Sequence, residues 1–130
     1  MKDSIAAAHH KLDALLDETR SALQAGEEGR ARASFAHLRA ALEAHFDQED
    51  SLYYPSIRAL RPDLKKAVEG FLAAHAKFSA RLAEIGASLD TDALADAERA
   101  LEAFGTAFAS HEASEERVLL ALDRDLGVPR

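Results

Sequence analysis

Two copies of the pattern His-x-x-x-Glu stand far apart in the sequence, His45 with Glu49 and His111 with Glu115. Residues four positions apart lie on one face of a helix about one turn apart, so both side chains of a pair can reach one metal ion. Imidazole nitrogen and carboxylate oxygen suit iron, manganese, zinc or copper. The chain has no cysteine, which excludes thiolate ligands and cysteine nucleophiles. Each pair therefore predicts part of a metal site with nitrogen and oxygen ligands.

Two further histidines fall on apolar helix faces when the chain is placed at about 100° per residue. His9 lies one turn from Ile5 and Leu12, and His75 lies in a stripe that includes Phe71. Both pairs also face inward, because leucine and phenylalanine residues share their helix faces. The predicted metal ligands are His9, His45, Glu49, His75, His111 and Glu115.

The remaining histidines are predicted to lie at the surface. His10 is rotated onto the side of Asp13 and Asp17, and His37 lies off the apolar stripe of its helix. The acidic residues beside the motifs are interpreted as solvated helix faces with no assigned role. They are Glu43, Asp47, Asp50 and Glu116.

The size of the ligand set favours two metal ions. Four imidazoles and two carboxylates exceed the ligands of one tetrahedral zinc ion, and two carboxylates can bridge two metals. Buried carboxylates need a counter-charge, and almost no lysine or arginine falls on the inward faces. Counted at about 1.5 Å per residue, every helix brings a ligand to the same level of an antiparallel bundle. The spacing predicts a binuclear site but does not name the metal.

Four segments with apolar residues at three- and four-residue spacing must position these ligands. The first is predicted from Asp3 or Ser4 to the region of Gly26, and the second, with Leu52 on its inward stripe, continues toward Leu60. Pro55 is expected to perturb that second helix, because proline has no N–H to donate. The third begins in the turn at Pro62, and the segment 90–92 is predicted to cap a fourth that ends near Asp125. Short connections predict an all-α, up-down-up-down four-helix bundle.

Length and composition limit the number of domains and the classes of partner. With 130 residues, the chain is expected to form one domain over residues 1–130. A net charge of −7, without a Lys/Arg-rich block, argues against nucleic acid and anionic membranes as partners. No segment approaches the roughly 20 apolar residues that span a bilayer. A cytoplasmic location is therefore expected.

These residues resemble the hemerythrin-like, or HHE cation-binding, domain over nearly the whole chain. The resemblance rests on HHKLDALL at 9–16, HFDQED at 45–50 followed by LYYP at 52–55, the single His75, and HEASEE at 111–116. The family's first-helix histidine precedes a leucine by three residues, which again selects His9 over His10. The resemblance implies a four-helix bundle around a non-haem di-iron centre whose two carboxylates bridge the irons.

One departure from the family pattern lies on the third helix. Oxygen-carrying members place two histidines there one turn apart, whereas this chain has only His75, with Phe71 and Ser79 at the neighbouring positions. The missing imidazole implies an open or water-filled position at one iron, or a substitute ligand. The residues considered as substitutes are Tyr53, Glu112 and Glu116. Plain reversible oxygen carriage is therefore not the expected function.

The resemblance and this departure imply a protein that binds or senses O₂, nitric oxide or peroxide at two non-haem iron ions, with manganese or zinc as alternative metals. Peroxide reduction, with an unidentified reductase as partner, is one form of this hypothesis. Iron storage or regulation without turnover is the alternative, and a bundle with structural, zinc-loaded histidines is a third. The sequence does not decide whether the protein is an enzyme.

Overall fold

In a computed structural model of the protein, residues 2–125 are described, and they are helical with short turns and no strand. The helical segments are α1 (Lys2–Gln24), α2 (Glu28–Gln48), a π-helical turn (Glu49–Tyr53), α3 (Tyr54–Leu60), a 3-10 turn (Pro62–Leu64), α4 (Lys65–Asp90) and α5 (Leu94–Asp125). Of these helices, none combines the length and apolar character needed to cross a lipid bilayer.

The long helices form a closed ring. Helix α1 packs against α2 and α5, and α4 packs against α5 and α2. Helices α2 and α3, joined by the π-helical turn, together form the second helix of the bundle. Because the connections are short, successive helices are antiparallel neighbours. The prediction of an all-α four-helix bundle is confirmed.

In two of the connections, the chain leaves the preceding helix through a residue with positive φ. Gly26 follows α1 with φ of 69°, and the amide of Glu27 bonds back to the carbonyl of Ala22, which ends the helix with a Schellman motif. Asp92 has the same left-handed conformation, with φ of 57°, after α4. Segment 90–92 was predicted to cap the start of the fourth helix. That prediction is wrong, because Asp90 is the last residue of α4, Asp92 follows that helix in a left-handed conformation, and α5 begins only at Leu94.

The second bundle helix changes register where the site begins. In the π-helical turn the amide of Tyr54 bonds to the carbonyl of Glu49, five residues back instead of four. Tyr54 and Ile57 are consequently fully buried, whereas Leu52 and Leu60 are 54% and 51% exposed. The predicted inward position of Leu52 is wrong, because uninterrupted α-helical spacing does not hold beyond Glu49. The sequence predicts a perturbation of this helix near Pro55, and the π-helical turn lies just before that residue.

The apolar interior is divided into two clusters. The larger fills one end of the bundle, with Leu38, Leu42, Leu82 and Phe104 among its members. The smaller, which includes Ile5, Ile57, Val68, Leu119 and Leu122, fills the other end. The predicted ligands lie in the layer between these clusters, so they are shielded from water on both sides along the bundle axis.

Candidate metal centre

All six predicted ligands lie in one buried layer of the bundle. Helix α1 contributes one of them, the end of α2 with the π-helical turn contributes two, α4 contributes one and α5 contributes two. The six are His9, His45, Glu49, His75, His111 and Glu115, each at most 9% exposed. His10 and His37 are exposed. The structure therefore places the inward and outward histidines as the helix faces predicted.

The six residues form two overlapping groups. In each group, one nitrogen or oxygen atom per residue lies within 4.8 Å of the corresponding atoms of the others. The first group is His9, His45, Glu49 and Glu115, and the second is Glu49, His75, His111 and Glu115. Glu49 and Glu115 belong to both. Two imidazoles flank the shared carboxylate pair on each side, which is the donor arrangement that could hold two cations with bridging carboxylates.

Donor atoms approach closely at the centre of this layer. Nε2 of His9 lies 3.1 Å from Oε1 of Glu115, and Nε2 of His75 lies 3.2 Å from Oε1 of Glu49. Within the pairs, His45 Nε2 lies 3.2 Å from Glu49 Oε1 and His111 Nε2 lies 3.6 Å from Glu115 Oε2.

Several of these atoms are buried without a hydrogen-bond partner among the described residues. They are Nε2 of His9, His45 and His111, both carboxylate oxygens of Glu49, and Oε1 of Glu115. Buried polar atoms are normally paired, because an unpaired one costs free energy comparable to a lost hydrogen bond. Converging nitrogen and oxygen atoms without partners can ligate a cation once it displaces the protons that some of them carry. The residues present therefore fit a metal centre.

The surroundings shift the pKa values of the predicted ligands in different directions. Burial would raise the pKa of Glu49, but its contacts with His45 and His75 hold that pKa well below its usual range. Burial raises the pKa of Glu115 to about 7, a shift that His9 opposes and Glu49 reinforces. Burial and the charge of His75 lower the pKa of His111 to about 4. Glu49 is therefore ionised and Glu115 about half protonated at neutral pH, and a metal must displace the proton of Glu115.

The pH dependence of the metal-free protein follows from two neighbours of the centre. Burial opposes the charged form of His9, but its contact with Glu115 and the charge of Glu112 raise the pKa of His9 to about 9. Burial raises the pKa of Glu112 to about 8, although the charge of His9 opposes that shift. Both pKa values lie above those of an unfolded chain, so the folded protein binds more protons at neutral pH.

We therefore expect the free energy of unfolding of the metal-free protein to fall as pH rises from 7 to 9. Urea denaturation at a series of pH values measures it. The Glu112→Gln variant should show a shallower decline, because its amide cannot release a proton. A flat or rising profile in the parent protein would contradict the expectation.

One residue at the centre, Tyr54, was not predicted from the sequence. Tyr54 is fully buried, and its hydroxyl lies 2.5 Å from Oε2 of Glu115 and 3.1 Å from Nε2 of His75. Burial and the charges of Glu49 and Glu115 raise the pKa of the Tyr54 hydroxyl far above its usual value. Tyr53 was considered as a substitute ligand, but the π-helical turn brings Tyr54 inward instead. A tyrosine five residues after a His-x-x-x-Glu motif would have been the signal.

The second-histidine positions on α4 hold no ligand. Phe71 is buried and packs edge-on against His111 with ring centroids 5.4 Å apart. Ser79 is exposed and lines a surface pocket. The hydroxyl of Tyr54 approaches the same half of the centre from the second bundle helix, because it contacts His75.

Carboxylates also contact the outer nitrogens of two histidines. Nδ1 of His75 lies 2.9 Å from Oδ1 of Asp50, and Nδ1 of His9 lies 3.3 Å from Oε2 of Glu116. Metal-bound histidines commonly donate their outer N–H to a carboxylate, which fixes the tautomer and the ring orientation. Asp50 and Glu116, interpreted from the sequence as solvated helix faces with no assigned role, thus each contact a predicted ligand. Glu116 and Glu112 contact His9 on its outer side, so neither replaces the missing imidazole.

The family model described as the hemerythrin HHE cation binding domain matches residues 1–122. The chain belongs to this family. The resemblance inferred from the motifs is confirmed over 122 of the 130 residues. No curated protein and no solved structure gave a significant match. The hemerythrin HHE assignment agrees with buried histidine and glutamate groups that could hold a metal.

Proposed function

We propose that this hemerythrin HHE protein holds two iron ions and binds a small oxidant such as O₂, nitric oxide or peroxide. The observation that carries the proposal is the pair of four-residue groups that share Glu49 and Glu115. His9 and His45 would complete one ion's ligand set, and His75 and His111 the other's. When bound, iron supplies redox chemistry and a coordination position that a small ligand can occupy.

The protein surroundings support a small, uncharged ligand. An apolar cleft of about 440 Å³ between α4 and α5 reaches His111, and Phe71, Ala74 and Phe78 line its inner part. The apolar clusters on either side exclude bulk water from the layer. Tyr54 places a hydroxyl proton beside Glu115 and His75, where it can be donated to a ligand or lost. The apolar lining of the cleft and the hydroxyl of Tyr54 support a diatomic molecule or a peroxide as the proposed ligand.

The deciding experiment is iron quantification on protein produced in iron-replete cells, followed by absorption spectra with and without O₂ or azide. We expect about two iron ions per chain, as the paired ligand groups require. A ligand-dependent charge-transfer band should accompany them. Near-zero iron and an unchanged spectrum would overturn the proposal. Peroxide titration of the reduced protein then separates a peroxide-reducing enzyme, which consumes peroxide catalytically, from a sensor or storage protein, which is oxidised once.

Tyr54 is expected to act as a ligand in the half of the centre that holds His75. A bound cation reverses the effect of burial and favours the phenolate. The iron(III)-loaded protein should therefore show a visible phenolate-to-iron absorption band that Tyr54→Phe removes. Tyr53→Phe is the matched control, because Tyr53 is only partly buried. If both variants keep the band, Tyr54 does not ligate iron.

Asp50 is expected to position His75 through its outer nitrogen. Asp50→Ala should lower metal affinity about 10- to 100-fold, as loss of an outer-shell partner typically does. Competition with a chromogenic chelator measures the affinity. Asp47→Ala is the control, because Asp47 lines the same pocket and is exposed. Equal affinities for the two variants would contradict the positioning role.

A further inference from the structure

A pocket of about 160 Å³ opens between α1 and α5, on the outer side of His9. Its polar lining consists of His9, His10, Asp13, Glu112 and Glu116. None of the described residues that line it is a lysine or an arginine. Three carboxylates and two imidazoles thus face one small space, and the imidazole of His9, not a lysine or an arginine, contacts two of these carboxylates. Such a lining attracts cations and concentrates them locally.

Glu112 sets this pocket apart from an ordinary acidic surface. The residue is 6% exposed, and its Oε2 atom is buried without a hydrogen-bond partner among the described residues. That oxygen lies 3.6 Å from Nδ1 of His9. Holding a carboxyl group in this position is costly unless a proton or a cation accompanies it. A proton accompanies the buried carboxyl of Glu112 in the metal-free protein at neutral pH, and a cation that enters the pocket can take the place of that proton.

His9 separates this pocket from the centre. Its Nδ1 atom faces Glu112 and Glu116, whereas its Nε2 atom lies 3.1 Å from Glu115 in the ligand layer. Only the imidazole ring of His9 thus separates the pocket from the other predicted ligands of the first group. A cation held on the outer side would need only a rearrangement of the His9 side chain to reach the inner side.

The other openings near the centre suit a cation less well. The apolar cleft that reaches His111 is bordered by three basic residues, Lys66, Lys77 and Arg81. The pocket beside His75 is acidic, but Asp50 in it is already bonded to His75. Glu43 and Asp47, which also line it, are exposed, and Glu43 accepts a hydrogen bond from Arg39 at 3.2 Å. Only the pocket beside His9, among those described, combines negative charge with a buried carboxyl oxygen that lacks a partner.

We propose that this pocket is an entry site, where Asp13, Glu112 and Glu116 hold a divalent cation before it passes His9 into the centre. The inference rests on the proposed function, since it assumes that the centre takes up metal. The cation exchanges bound water for carboxylate oxygens in the pocket and then for the ligands of the inner layer. Glu112 is an uptake residue and not a ligand of the loaded centre.

The test follows the uptake of Co²⁺ by the metal-free protein at low ionic strength, by stopped-flow absorption. We expect Glu112→Gln to slow the second-order uptake about three- to tenfold, because the amide cannot give up a proton to become a carboxylate ligand for the arriving cation. The final number of ions per chain should stay the same. Glu43→Gln is the matched control, because it removes one negative charge beside the other acidic pocket. Its uptake rate should equal that of the parent protein.

The other possible outcomes contradict the entry site, the proposed function or both. Equal rates for the parent protein and Glu112→Gln, or slower uptake by Glu43→Gln alone, overturn the entry site and leave the proposed function intact. A lower final stoichiometry in Glu112→Gln makes Glu112 a ligand and also overturns it. If the parent protein takes up no metal, both proposals fail. If the Glu112→Gln variant loses its helical circular dichroism, the Asp13→Asn variant replaces it, because Asp13 is exposed. Its uptake of Co²⁺ should also be slower than that of the parent protein.

Discussion

Removal of bound metal should lower the midpoint of thermal unfolding by roughly 10–20 °C. A ligand that binds only the folded state, at about 1,000 times its dissociation constant, adds about 4 kcal/mol, and each kcal/mol shifts the midpoint of a protein of this size by about 3–5 °C. The measurement compares melting curves of the iron-loaded protein and of protein stripped with a chelator. Loss of the metal leaves two carboxylates and four imidazoles buried together, with several atoms unpaired.

The double variant His45→Ala, His111→Ala is the control for this experiment. It removes one imidazole from each ligand group, so added metal should no longer move its melting midpoint. If the parent protein melts at the same temperature with and without metal, the buried histidines are structural. The third hypothesis, a helical bundle with structural histidines, would then be correct.

The Glu115→Gln substitution should abolish binding of both metal ions, lowering affinity by more than the 10–100-fold typical of outer-shell changes. Glu115 belongs to both ligand groups, whereas His9 belongs to only one. An amide is a poor metal ligand, but it has nearly the shape of the protonated carboxyl group. Since burial already raises the pKa of Glu115 to about 7, the metal-free variant should be about as stable as the metal-free parent at neutral pH.

Metal analysis and urea denaturation on the same preparations test both halves of this expectation. His10→Ala is the matched control, because His10 is exposed and should leave both quantities unchanged. His9→Gln should weaken mainly the ion held with His45. A Glu115→Gln protein that retains two ions would contradict the bridging role, and one that unfolds without metal would show that Glu115 is needed for the fold itself.

Most of the bundle, and the burial of the six predicted ligands in one layer, could be predicted from the sequence. The apolar spacing of the four segments repeats at helical intervals, so the direction in which His9, His45, His75 and His111 face follows from simple geometry. Buried carboxylates at Glu49 and Glu115 demand a counter-charge, which points to a cation. These inferences depend on local periodicity, which the sequence carries directly.

The features that escaped prediction depend on contacts between helices or on a break in periodicity. A π-helical turn has no distinctive composition, so Leu52 was placed inward and Tyr54 was overlooked. The contact of Asp50 with His75 joins different helices at a distance of 2.9 Å, which no spacing rule on one helix can supply. Asp92 ends α4 in a left-handed conformation that glycine favours, although asparagine and aspartate also tolerate it.

The π-helical turn at Glu49–Tyr53 has a consequence for how this segment tolerates insertions and deletions. If the turn were an ordinary α-helical one, residue 53 would face the centre in place of residue 54. Both positions carry tyrosine. A phenol would therefore face the metal layer in either register, even though Ile57 and the packing beyond it would have to move. Loss of one residue from the turn would restore α-helical spacing and keep Tyr54 and Ile57 inward, whereas gain of one residue would bring Tyr53 inward and displace Ile57 and the packing beyond it.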